Sequence, residues 1–295
     1  RHTVGNIPFI KGDPDNMKKS IALLILAAFA ALPIAASAAD GFVYADVLSA
    51  YVFNGQVGND EAVFQPGLDV TGPLGLGYSF WANMDLTDSE RSWAANSAGE
   101  WSELDLGLNW SSPWEGPVSL TIGGTYYVYP QSSSSVDTDD DGAAIVGEDG
   151  SVTVSEAPAD GSYEVYAKVK ATTILLSPAL KVCHDLDNTD DWIALFSLSH
   201  SFSLTDALSL DLGATLGYAG EFYIDQNYGS DAGSAFTHAQ ADAALTFALN
   251  EKISVSAKAS YSSILEDDVR DDIEAGDVYP DVDIFFGGVN VSYSF

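Results

Sequence analysis

The sequence predicts an all-β chain, a 12-stranded antiparallel transmembrane β-barrel behind a cleaved signal peptide. Three observations lead there. Twelve segments of about ten residues carry alternating apolar and polar positions, which is the length and period of a tilted membrane-crossing strand. Short turns near positions 72, 113, 173, 205 and 250 interleave with longer polar loops, so the long loops gather at one end and both chain ends at the other. A barrel with extracellular loops and periplasmic turns has that layout, and a soluble sandwich has no reason to adopt it. In the last segment Val289, Val291, Tyr293 and Phe295 share one face while Asn290, Ser292 and Ser294 share the other.

The N-terminus comes first. Met17-Lys18-Lys19 opens a basic region, 21–31 is an apolar core, Pro33 breaks it, and Ala36-Ser37-Ala38 gives a small-x-small cleavage site. This predicts a signal peptide over 17–38. The apolar run is too short to span a bilayer comfortably as an anchor. Residues 1–16 fit no export signal and are read as lying upstream of the natural start. The barrel is expected over 39–295, and no later segment is apolar enough for a membrane helix.

Composition supports the same class. Of 295 residues only 18% are charged and 12% aromatic, with 26 glycines and 11 prolines, a mix suited to many short strands. The single cysteine, Cys183, forms no internal disulfide, so stability has to come from burial or ring closure. The formal net charge is −32, and loss of the leader removes more basic than acidic residues. Nucleic acid is excluded as a partner on that ground.

In order, strands are expected over 42–54, 62–71, 74–86, 101–110, 118–129, 163–172, 174–183, 192–204, 207–220, 236–249 and 253–265, before the final one. Gly72-Pro73, Thr205-Asp206 and Asn250-Glu251-Lys252 supply clear turns. The connection near 173 is apolar and Pro178 falls inside the proposed strand, the weakest point of the assignment. The stretches 54–60, 87–99, 130–161, 184–190, 221–233 and 266–281 read as loops. Trp110, Trp114, Tyr293 and Phe295 are expected at the periplasmic rim. Trp101, Trp192, Tyr218 and Phe222 are expected at the outer one, as two aromatic girdles.

Five stretches carry a family resemblance: Ser49-Ala-Tyr-Val-Phe-Asn-Gly55, Phe64-Gln-Pro-Gly-Leu-Asp-Val70, Gly77-Tyr-Ser-Phe-Trp-Ala82, Glu103-Leu-Asp-Leu-Gly107 and Gly124-Thr-Tyr-Tyr-Val-Tyr-Pro130. Together they resemble the opening strands of the TorF-type porins. The resemblance covers the first third of the mature chain, and beyond it only the strand rhythm agrees. Asn54 stands where that family usually has arginine, so no role of that arginine carries over. The resemblance implies a bacterial outer-membrane barrel passing small solutes and supplies no catalytic residues. The terminal strand with Tyr293 and Phe295 likewise resembles the signal that the barrel-assembly machinery of that membrane reads. Outer-membrane lipid and lipopolysaccharide are the expected surroundings.

Alternation places Lys168, Lys170, Lys181 and Lys258 inside the barrel, with Asp69, Asp85, Glu103, Asp105, Glu164, Asp211 and Asp242. An acidic wall facing a smaller basic one would set a transverse field across a narrow interior and favour cations. The expected function is passive diffusion of small hydrophilic solutes or ions, cation-leaning. The alternative is a non-conducting structural or surface-interaction barrel whose internal charges pair and fill the lumen, with acidic cation-binding loops outside. A soluble β-sandwich is the third reading.

Asp137, Asp139, Asp141, Gly142 and Glu148 fit the calcium-loop spacing D-x-D-x-D-G-x5-E, where alternate carboxylates wrap a hard cation. No flanking helices are visible, position eight is Ala144, and a solvated acidic loop is the competing reading. The acidic stretch 266–281 lacks that spacing and reads as a solvated face. His184, His200 and His238 have no serine placed to form a catalytic pair, so no enzyme and no other cofactor is expected.

Overall fold

A computed structural model describes residues 39–88, 98–130, 134–136, 154–156, 161–276 and 278–295. The expected signal peptide over 17–38 and the 137–148 motif lie outside these residues. Within Asp40–Phe295 sixteen strands form among the described residues, and twelve of them close into a ring. Going round, these are β1 (Asp40–Leu48), β16 (Asp283–Ser294), β15 (Ile253–Ile264), β14 (Ala235–Ala248), β13 (Leu208–Ala219) and β12 (Trp192–Ser203). The circuit continues through β11 (Ala179–Asp185), β10 (Ser162–Ala171), β7 (Val118–Val128), β6 (Trp101–Ser111), β5 (Leu76–Asp85) and β4 (Val63–Thr71). Every neighbouring pair is antiparallel. Closure leaves no strand edge unpaired. No described helix is long and apolar enough to cross a membrane.

The wall follows the period of two. Leu108, Ile122, Val169, Val182, Phe196, Leu212, Leu245, Phe285, Val289 and Val291 all point outward and are exposed. Phe285 and Leu108 stay 74% and 72% accessible, which water would penalise and a lipid phase would not. Ring pairs mark both rims. Trp110–Trp114 and Tyr293–Phe295 sit at the turn end, and Trp192–Tyr218–Phe236 at the loop end.

Turn chemistry explains the tight end. Thr205 Oγ1 accepts from the amides of Ala207 and Leu208, and Asn250 Oδ1 accepts from those of Lys252 and Ile253. Pro73 opens a 3-10 turn in which Gly75 has φ +81, and a Cβ there would lie 1.9 Å from the Ser111 carbonyl. The apolar connection after β10 is longer than expected: β11 starts at Ala179, so the turn takes 172–178 with Leu176 and Ser177 at positive φ. Pro178 therefore precedes the strand, where its missing N–H costs no ladder bond.

Four expected loops have structure of their own. Residues 221–233 contain helix α1 (Glu221–Tyr228), and 266–281 contain helix α2 (Asp267–Gly276). α1 begins where Asp191 Oδ2 accepts the Tyr223 amide at 3.0 Å, and it ends on Gly229 at φ +67. α2 has Asp267 and Asp268 in its first turn, at the positive end of the helix dipole. Val269 and Ile273, one turn apart, are its buried pair, so the stretch is an amphipathic helix rather than a wholly solvated face. The first strand ends at Leu48, and the chain then folds inward as the hairpin β2 (Tyr51–Phe53) and β3 (Gln56–Asn59). Within the long third loop, β8 (Ser134–Val136) and β9 (Val154–Glu156) pair.

Candidate channel lumen

The lumen divides by height. At the loop end the inward residues are shut away from water on one strand after another. Val63, Asp85, Glu103, Ser162, Cys183, Ile193, Ala219, His238 and Ile264 are all buried there. α1 and α2 cover Cys183, Ile193, Ala219 and Ile264, and the inserted hairpin lies against His238, Ile264 and Glu103. Tyr223, Ile224 and Tyr228 of α1 and Val269 and Ile273 of α2 pack with Ile193, Ala219 and Ile264 of the wall into one apolar cluster.

Polar bonds lock the hairpin to these helices. The Tyr228 hydroxyl donates to the Asn54 carbonyl at 2.6 Å, and Asn54 Nδ2 donates to the Tyr223 hydroxyl at 3.2 Å. Tyr279, just beyond α2, donates to the Asn227 carbonyl and lies 3.0 Å from Gln56 Oε1. Burial pushes the Tyr228 hydroxyl up to about 12 and that of Tyr279 up as well, so both stay protonated donors. The hairpin tip depends on Gly55. Its φ is +85, and a Cβ would sit 2.5 Å from His238 Cβ and 3.0 Å from Ile264 Cδ1.

Within the same loop-end zone a polar network crosses three strands. Gln65 Nε2 donates to Asn83 Oδ1 at 2.9 Å, and Asn83 Nδ2 donates to Ser102 Oγ at 2.7 Å and Asp85 Oδ1 at 3.1 Å. Tyr51 of the hairpin donates to Glu103 Oε2. These groups are buried but satisfied.

The turn-end half is different: its inward groups are partly exposed, and two cavities of about 410 Å³ each open among them. One is lined by Asp211, Gln240, Asp242, Lys258, Ser260 and Phe286, among others, and the other lies against Phe42, Tyr44, Asp46, Asp69, Trp81 and Lys258. Asp242 accepts from Gln240 and Ser260, and Asp211 from Ser209 and Thr246, so both carboxylates are held by neighbours. Lys258 Nζ is 2.6 Å from Asp46 Oδ1. On the far wall Lys168 pairs across the strands with Lys181. Lys181 Nζ is 3.4 Å from Glu164 Oε1 and 4.4 Å above the Tyr166 ring.

The structure thus puts all eleven expected pore residues on the inward face, but not in one place. Asp85, Glu103 and Glu164 are buried in or under the packed zone and do not line water. Asp69, Asp105, Asp211, Asp242, Lys168, Lys170, Lys181 and Lys258 are the partly exposed set. Asp46, the partner of Lys258, was not expected. Its strand shows apolar residues on both faces, with Val43, Ala45 and Val47 outward and Phe42, Tyr44 and Leu48 inward, so alternation offers little contrast. The pairing Asp46↔Asn290 across the seam was its available signal. His238 is inward, as alternation requires, and lies beside Thr237 Oγ1 at 3.0 Å. The candidate calcium ligands Asp137, Asp139, Asp141 and Glu148 fall outside the described residues.

No family model matches the chain, and no curated protein matches it. The likeness to TorF-type porins rests on the stretches quoted above. Among solved structures the chain is similar to the NanC porin, with TM-score 0.44, 10% identity, and coverage of 86% of this chain and 98% of that one. It is similar to the KdgM porin, with TM-score 0.46, 10% identity, and coverage of 86% and 99%. It is also similar to the COG4313 outer membrane channel from Pseudomonas putida F1, with TM-score 0.46, 10% identity, and coverage of 88% and 95%.

Proposed function

We propose that the chain is an outer-membrane channel for small hydrophilic solutes or ions, cation-leaning, whose loop end is held shut by its own inserted segments. The observation that carries this reading is a closed ring with an apolar outer face and a charged, cavity-bearing inner one. A lipid-spanning ring has no use for inward charge unless something polar occupies or crosses it. Acids and bases are equal in number in the partly exposed set, four of each, so the cation leaning rests on the acidic mouths. The net charge of the whole chain, −32, adds to the attraction for cations at the mouths.

The packed loop end favours a second reading, a barrel that conducts nothing. The two separate in a planar bilayer. The wild-type protein should show small, flickering conductance, and replacing residues 50–61 by a short Gly-Ser link should raise it about tenfold or more, since it removes the segment that α1 and α2 close against. Silence from both proteins at every salt concentration would end the channel reading. Silence from wild type with current from the shortened protein would make the hairpin a permanent plug.

A further inference from the structure

We propose that the turn-end cavity lined by β1, β4, β5, β15 and β16 is a binding site for small organic ammonium ions. The site is built in tiers that follow from register. Tyr44 of β1 pairs with Gly67 of β4, and Gly67 pairs with Trp81 of β5. A Cβ at Gly67 would lie 2.2 Å from the Tyr44 ring, so the missing side chain is what lets that ring lie flat along the wall. Phe42 follows at 5.7 Å from Tyr44, ring centre to ring centre. One step toward the turns, Phe42 pairs with Asp69, and one step toward the loops, Asp46 pairs with Gln65. An aromatic tier therefore lies between two carboxylates in a cavity of about 410 Å³.

The two carboxylates are not alike. Asp46 is matched by Lys258 at 2.6 Å. Asp69 has no ion-pair or hydrogen-bond partner among the described residues, unlike Asp211 and Asp242 in the neighbouring cavity. One uncompensated negative charge in a cavity that Tyr44 and Trp81 also line, the latter ring packed at 5.4 Å against Tyr51, is the chemistry that attracts an alkylammonium group. The rings attract its positive charge through their quadrupoles and cover its methyl groups, and the carboxylate supplies the counter-charge. A neutral sugar would use the rings but leave Asp69 unbalanced. An inorganic cation would use Asp69 but gain little from the rings.

This deepens the channel reading and rests on it only in taking the lumen as open to water. The probe is choline, with uncharged 3,3-dimethylbutanol as its shape-matched control. Both are titrated calorimetrically into the full chain in a polyoxyethylene detergent, which carries neither charge nor sugar. Choline should bind saturably and the alcohol should not. Asp69→Asn and Trp81→Leu should each weaken choline binding about tenfold, while Trp81→Phe retains it. Far-UV circular dichroism and the thermal transition show whether each variant is folded. Asp69→Glu, which keeps the charge, stands in for a misfolded Asp69→Asn and should keep binding. Equal binding of the alcohol, unchanged affinity in folded Asp69→Asn, saturable trehalose binding in place of choline, or no choline binding would each overturn the site. Calorimetry needs no current. Choline binding without conductance would defeat the channel alone, and conductance without choline binding would defeat this site alone.

Discussion

The loop-end and turn-end halves of the lumen share one wall, built from the same twelve strands with the same inward alternation, yet one is packed like a protein interior and the other holds cavities. The difference lies in what the connections do. At the turn end they reverse within a few residues and leave the interior alone. At the loop end Tyr228 and Ile273 are carried back inside and meet Ile193, Ala219 and Ile264, and Tyr51 and Val57 of the hairpin are buried as well. Strand pattern therefore fixes which side chains face inward, while loop geometry decides whether those side chains meet water or protein. Glu103 and Asp105 lie two residues apart on one face of β6, and only Glu103 has the hairpin's Tyr51 hydroxyl on its carboxylate among the described hydrogen bonds.

That contrast can be broken most strongly at the hairpin tip. Gly55→Val places a branched side chain at φ +85 and against His238, and should cost about 2 kcal/mol or more locally. Its expected result is a conductance close to that of the shortened hairpin, with the barrel's own melting little changed. Alkali should act on the same packing. The folded pKa of Tyr228 is raised by burial, so its contribution to packing is intact below the ordinary tyrosine value and is lost as pH rises through about 12. Open probability measured across pH 9 to 12 should climb over that window and return on neutralisation. A weaker perturbation is Tyr51→Phe, which strips the donor from buried Glu103 and should lower the thermal transition by an amount equivalent to about 1–3 kcal/mol. Smallest in energy is the joint change Lys168→Gln and Lys170→Gln in the open half, which leaves the Lys181–Glu164 pair intact. The reversal potential in a salt gradient should move toward the cation limit with stability little affected. An unmoved potential would mean that this wall does not meet the permeating ions.

Much of the wall was legible in the sequence because a period of two survives any register and forces Lys168, Lys170, Glu164 and Tyr166 onto one face. Counting alternating segments yielded the strand number, alternating short and long connections sorted the loops to one end, and Pro178 flagged a strand whose start was misplaced. The inserted segments were harder to see. Val269 and Ile273, one helical turn apart behind Asp267 and Asp268, were a readable helix signal hidden by the surrounding acids. Gly220 and Gly229 flank α1 as its ends demand. Nothing local distinguishes a hairpin at Asn54-Gly55 that points outward from one that folds in. That choice depends on His238, Tyr228 and Tyr279, which lie far along the chain and meet it only after the ring exists. Asp46 escaped notice because its strand has apolar residues on both faces.

The seam between β1 and β16 has a consequence for timing. Phe42 pairs with Ser294 and Leu48 with Gly288, while the amides and carbonyls of Gly41 and Phe295 bond in both directions. These partners are separated by almost the whole span of the barrel, so they pay the full entropy of loop closure and can meet only after β16 has been delivered. Until then the growing sheet has two open edges, each a template for pairing with another chain. The inward hairpin follows directly on β1 and takes its cover from α1 and α2, so its docking awaits the same moment. Assembly of this protein is therefore a process with a late commitment: the ring is zipped and the loop end is filled together, by the strand that arrives last.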